Sequence, residues 1–99
     1  MKILCVCGLG IGSSVFLRVS VGHVLDDLGL KDYSLEVADI GSAQSANFDM
    51  AITSVELADN LGSKLPEEEK WRVVPIFNFI DKNELRTKCE EALKRIGAI

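Results

Sequence analysis

The stretch "CGLGIGSS" sets a thiol, Cys7, in front of Gly8, Gly10 and Gly12, and closes on Ser13 and Ser14. Glycines at alternate positions clear side chains away, so that backbone N–H groups can converge on a bound anion. Hydroxyls where a helix begins add donors beside its positive end. The donors that would hold a phosphate also stabilise a thiolate, so Cys7 is expected to be both placed and activated as a nucleophile. The covalent product would be a phosphocysteine, its phosphoryl group bound by the backbone of Gly8, Leu9, Gly10, Ile11 and Gly12 and by the hydroxyls of Ser13 and Ser14.

Such a turn needs a strand before it and a helix after it. "KILCV", Lys2 to Val6, is a continuous apolar run that ends in glycines, as a strand buried on both faces does. Over residues 13–28 Val15, Phe16, Val19, Val24, Leu25 and Leu28 recur at helical spacing, and Gly29 stops the helix. Further strands are predicted over 34–40, 49–54 and 71–77, with Pro75 marking the last as an edge. A short amphipathic helix is expected over 55–64, then a charged surface connection over 66–70. The final helix starts at Asp81, with Glu84 in its first turn and Leu85, Cys89, Leu93 and Ile96 along one stripe. Strands alternating with helices imply an α/β fold with right-handed crossovers: a four-stranded parallel sheet in the order 2-1-3-4, flanked by helices. Ligands in such sheets bind beyond the carboxyl ends of the strands, where the strand order reverses, and that point lies beside the first strand.

Two nucleotide readings fit poorly. A dinucleotide site needs G-x-G-x-x-G, and although Asp39 could serve as a ribose ligand, Ser13 stands where the third glycine belongs. A nucleoside triphosphate loop needs a lysine, and the turn has none. C-x5-R-[ST] resembles the loop of low-molecular-weight tyrosine phosphatases in thiol, length and Ser14, but Ser13 occupies the arginine position. Without a guanidinium to clamp the equatorial oxygens, or an Asp-Pro general acid downstream, hydrolysis loses several powers of ten.

A short first strand running into C-G-x-G-x-G-S-S and a helix is similar to the enzyme IIB component of the sugar phosphotransferase system. The ascorbate-type branch is closest, through "KILCVCGLGIGSSVFL" and the "ADIGSA" segment at residues 38–43. The resemblance covers nearly the whole chain. It implies a phosphocarrier fold shared with the small phosphatases, and it implies that Cys7 takes phosphate from a phosphohistidine on a IIA partner and passes it to a sugar held by the membrane IIC protein. A small cysteine phosphatase and a non-enzymatic anion-binding domain stand as the alternatives.

The rest of the chain limits the field. Ninety-nine residues are expected to form one domain, 1–99, with room for one core. A net charge of -4 without basic clusters argues against nucleic acid. Neither a signal peptide nor a membrane span fits, so the chain is expected in the cytoplasm with its cysteines reduced. Its start at Met1 and its end just after a helix are those expected of a free-standing chain. No cofactor is implied, and zinc-ligand spacing is absent. Cys5 and Cys89 read as core, and the lone His23 as an ordinary helix residue. Thr53, Ser54 and Asn78 are either secondary phosphate donors or caps. Asp39 and Asp81 read as caps, Arg18 as a rim or solvated charge, and Trp71 and Phe77 as core or its margin.

Overall fold

Lys2–Val6 (β1) pairs in parallel with Ser34–Ala38 (β2) on one side and with Met50–Ser54 (β3) on the other. Val73–Ile76 (β4) adds to β3, giving the expected order β2-β1-β3-β4. These coordinates are a computed structural model that describes residues 1–6 and 11–98, and of residues 11–14 the backbone alone. The two inner strands are covered on both faces, which is why their sequences are nearly all apolar.

Side chains alternate across the sheet and feed two cores. Ile3, Cys5, Met50 and Ile52 join Leu17, Val21 and Leu25 from Ile11–Asp27 (α1), and Leu85, Cys89 and Leu93 from Lys82–Ile96 (α4). On the opposite face Leu4, Val6 and Ala51 meet Ala43 from Ile40–Ser45 (α2) and Leu61 from Val55–Gly62 (α3). Thus β1 returns to β2 over one face, while β2 reaches β3 over the other. The connections diverge between β1 and β3, which makes a crevice at the carboxyl edge of the sheet.

Several boundaries differ from the expectation. Helix α1 begins at Ile11, and its buried stripe is Leu17, Val21, Val24 and Leu25, whereas Val15, Phe16 and Val19 are half exposed. The helix is apolar nearly all round, so spacing alone could not choose the face. Strand β2 stops at Ala38 because Asp39 caps α2, accepting the Ser42 amide at 2.6 Å. Residues 67–72 form a 3-10 helix after Pro66, which shortens the last strand. Phe77 is 82% exposed rather than part of the core margin, and Trp71 is half-buried with the Arg72 guanidinium 4.8 Å from its ring centre. Helix α4 follows expectation: Asp81 caps it, accepting the Asn83 and Glu84 amides, and Gly97 ends it at φ 87°.

Candidate functional site

Strand β1 ends with Val6 opposite Ala38 of β2 and Thr53 of β3. Strand β1 therefore ends at the crevice, and α1 begins at Ile11. Cys7, Gly8, Leu9 and Gly10, half of the expected cradle, lie outside the described residues. Ile11, Gly12, Ser13 and Ser14 form the first turn of α1, which begins two residues earlier than the serine start that the sequence suggested. The first turn of an α-helix leaves its N–H groups without intrahelical acceptors, and here it stands at the carboxyl edge of a parallel sheet.

The residues around this crevice divide by their hydrogen bonds. Asn78 is committed locally, its Oδ1 accepting the Ile80 amide at 3.0 Å. Asp39 and Asp81 cap helices, and the Ser42 amide and hydroxyl hold the Asp39 carboxyl below its ordinary range. Ser54 occupies the cap position of α3 without making a side-chain cap bond. Thr53 does neither: it is fully buried, and its Oγ1 has no hydrogen-bond partner among the described residues. A buried hydroxyl in that state costs about 1–3 kcal/mol, which a valine of the same shape would avoid.

One organising residue escaped the sequence reading. Glu84 accepts the amides of Phe77 at 2.7 Å and Asn78 at 2.9 Å, and Lys88 pairs with it at 3.1 Å while donating to the Pro75 carbonyl. Burial raises the Glu84 carboxyl, but those amides and the Lys88 ammonium outweigh it and hold the group below the ordinary range. Its spacing from Asp81 suggests a capping box, in which the acid bonds back to the cap residue. Instead it reaches past Asp81 and fixes the turn between β4 and α4.

Charge and thiol chemistry are sorted just as sharply. Arg18 is exposed on α1, as a solvated helix charge would be, and donates through Nε to the Leu35 carbonyl. Arg72 bonds the Asp49 carbonyl and Glu69, Arg86 reaches Asp27 at the far end of α1, and Arg95 lies over Trp71. Among the described residues, each of the four arginines thus has a partner outside the crevice. Cys5 and Cys89 are buried in one core, and burial, with Cys89 adding to it at Cys5, pushes each thiol up to about 12. They are packing residues, as expected, and His23 is an exposed helix residue.

The exposed large apolar side chains gather at the same end. Val15, Phe16 and Val19 come from the start of α1, Val37 from the end of β2, Val55 from the start of α3, and Phe77 and Ile80 from the Glu84-fixed turn. Several of these residues follow strand ends directly, which places exposed apolar side chains at the carboxyl edge of the sheet. The opposite edge carries charge, with Lys2, Lys31, Asp32, Glu67, Glu68 and Lys70 exposed.

Residues 2–91 match the sequence model of the family described as "PTS system, Lactose/Cellobiose specific IIB subunit". The chain belongs to that IIB family. A relative named "Ascorbate-specific PTS system EIIB component", from Mycoplasma pneumoniae, is 23% identical over 93 residues, covering 94% of this chain and 95% of that one. Among solved structures, the lactose-specific IIB domain from Streptococcus pneumoniae superposes with a TM-score of 0.62 at 15% identity, over 97% of this chain and 93% of that one. A protein tyrosine phosphatase from Entamoeba histolytica superposes with a TM-score of 0.52 at 16% identity, over 97% and 92%. The IIB fold and the small phosphatase fold are one architecture, as the sequence suggested. As a IIB protein the chain is a component of a sugar phosphotransferase. No helix among the described residues is long and apolar enough to cross a membrane.

Proposed function

We propose that this IIB protein is a phosphocysteine carrier, with Cys7 as the phosphorylated residue and the 8–14 turn as its phosphoryl cradle. In the first step the Cys7 thiolate attacks the phosphorus of a phosphohistidine on a IIA partner. The S–P bond forms as the P–N bond breaks, and the bonding pair stays with the imidazole. In the second step a hydroxyl of a sugar held by the membrane IIC protein attacks the same phosphorus. The S–P bond breaks, the thiolate is restored, and the hydroxyl proton passes to solvent or to a base of the acceptor site. The carrier works on the cytoplasmic side, where the donor resides and its thiol stays reduced. The name of the Mycoplasma relative and the "ADIGSA" segment support ascorbate as the acceptor.

The observation that carries this reading is the disposition of the arginines. A cysteine phosphatase needs a guanidinium on the equatorial oxygens to release phosphate to water, and here Ser13 holds that position while, among the described residues, each arginine finds its partner elsewhere. Such a cradle can stabilise a thiophosphate yet hydrolyse it slowly. The exposed apolar side chains at the carboxyl edge support the other requirement, that a docked protein cover the phosphorus and exclude water during transfer.

The test compares two phosphoryl donors. Phosphorylated IIA protein should label the chain stoichiometrically, the label should vanish in Cys7→Ser, and an aryl phosphate should be hydrolysed no faster than by the Cys7→Ser protein. Rapid Cys7-dependent release of phosphate from the aryl ester would make the chain a phosphatase. Anion binding without any covalent label would make it a regulatory domain.

A further inference from the structure

The two edges of the sheet differ in what their outward backbone groups do. On β4, Pro75 has no N–H and turns its carbonyl outward to the Lys88 ammonium at 2.6 Å, while the Val73 and Phe77 amides are held by the Lys70 carbonyl and the Glu84 carboxylate. That edge keeps no free amide among the described residues. On β2, Ser34 donates its amide to the Met1 carbonyl, so Ser34, Glu36 and Ala38 address β1, whereas Leu35 and Val37 turn their backbone groups away from the sheet. Arg18 takes one lone pair of the Leu35 carbonyl at 3.2 Å. Among the described residues the Leu35 amide and both backbone groups of Val37 have no partner, and Asp39 continues the extended backbone. Such an edge is a template for another strand. It is also apolar. Val37 is exposed on the sheet face it shares with Leu35, and Val15, Phe16 and Val19 of the covering helix α1 are half exposed, Val19 lining one groove with Arg18, Gly22 and Leu35.

We propose that the β2 edge is the contact between two copies of this chain, joined antiparallel about a two-fold axis through Val37. In that register Val37 exchanges both of its backbone bonds with Val37 of the second copy. Leu35 exchanges with Asp39: the Leu35 amide donates to the Asp39 carbonyl, and the Asp39 amide donates to the Leu35 carbonyl. Each of these carbonyls keeps a lone pair beside its bond within the chain, from Ala43 at Asp39 and from Arg18 at Leu35. An axis through Glu36 instead would set the two Glu36 carboxylates directly opposite each other, which like charges oppose. With the axis at Val37, Glu36 meets Ala38, and Arg18, at the Leu35 carbonyl, comes beside the exposed Asp39 carboxylate of the second copy. The edge is thus complementary to itself in hydrogen bonds, apolar surface and charge, as an isologous contact requires. Two four-stranded sheets become one, and Phe77 and Ile80, beyond β4 at the far edge, take no part. The contact is independent of the carrier reading of Cys7.

Sedimentation equilibrium of the whole chain, from about 10 µM to about 0.5 mM, should show a dimer with a dissociation constant of about 100 µM or tighter, in keeping with a small contact. Hydrogen exchange at the Leu35 and Val37 amides should slow as the concentration rises. Val37→Lys sets two like charges on the axis and should weaken the dimer about tenfold or more. Val55→Lys, the same change at an exposed valine of α3, should leave it unchanged. Arg18→Glu, which meets Asp39 with a like charge, should weaken it as well. Wild-type protein that stays monomeric at the highest concentration, or a dimer that Val37→Lys leaves intact, overturns the inference. So does protection of the Val37 amide that appears only on adding phosphorylated IIA protein, because the edge would then take a segment of that partner. Val19→Lys, on the half-exposed side of α1, is judged on the same measurements if Val37→Lys does not fold.

Discussion

The Glu84 carboxylate and the Phe77 amide meet at 2.7 Å, across the turn that carries the chain from β4 to α4. Through that bond, and its companion to Asn78, a first-turn acid of α4 holds the most exposed large apolar side chain among the described residues at the carboxyl edge of the sheet. The acid does for the turn what a helix cap does for a helix, and it lends rigidity to part of that edge.

Glu84→Gln puts an amide group where both carboxylate oxygens accept, so one backbone donor loses its partner at a cost of about 1–2 kcal/mol at pH 7. A carboxyl held below its unfolded value of about 4.3 adds stability that is complete above that pH and lost as the pH falls toward the folded value. Urea unfolding at a series of pH values should show the gap between wild type and Glu84→Gln closing as the pH falls below about 4.3. A gap that stays constant down to pH 3 would mean that the ionised carboxylate contributes nothing to the fold.

Cys5 and Cys89, with thiols pushed up to about 12 and no exposure, cannot supply thiolate near neutrality. Iodoacetamide at pH 8 should alkylate the native protein once, at Cys7, and the urea-unfolded protein three times. Modification of Cys5 or Cys89 in the folded state would contradict their place in the core.

Phe77 and Ile80 are 82% and 75% exposed beside the crevice, and neither supports the core. Their joint replacement by serine should leave the melting temperature within about 2 °C, since surface changes shift stability by no more than about 0.5 kcal/mol. It should raise the KM for phosphorylated IIA protein about tenfold or more, with little change in kcat, because exposed aromatic and aliphatic anchors dominate docking energy. An unchanged KM would remove this turn from the donor-binding surface.

Much of this architecture was legible in the residues themselves. The continuous apolar run at Lys2–Val6 announced a strand covered on both faces, Met50–Ser54 fell within the strand expected over 49–54, Pro75 announced an edge, and Asp81 marked the start of the last helix. Where the signal failed, the cause was local. In α1 valine, phenylalanine and leucine occur on every side, so periodicity could not separate the Leu17–Val21–Leu25 stripe from the outward Val15, Phe16 and Val19. Helix α2 is six residues long and is declared only by the Asp39 cap, and Pro66 turned the expected start of the last strand into a 3-10 helix. At the site, type and spacing single out Cys7 and its glycines as candidates and leave Thr53 as donor or cap, but they do not show how Thr53 and Glu84 are placed. Their importance lies in a missing partner and in a bond to a preceding turn, and both are properties of tertiary contact.

Mass spectrometry of the protein after reaction with phosphorylated IIA protein tests the central claim most directly, with fragmentation chosen to retain the labile S–P bond. The account predicts a single added phosphoryl group on the peptide containing residues 1–18, localised to Cys7 and absent from Cys7→Ser. A phosphoryl group on His23 or Cys5, or label that persists in Cys7→Ser, would contradict it.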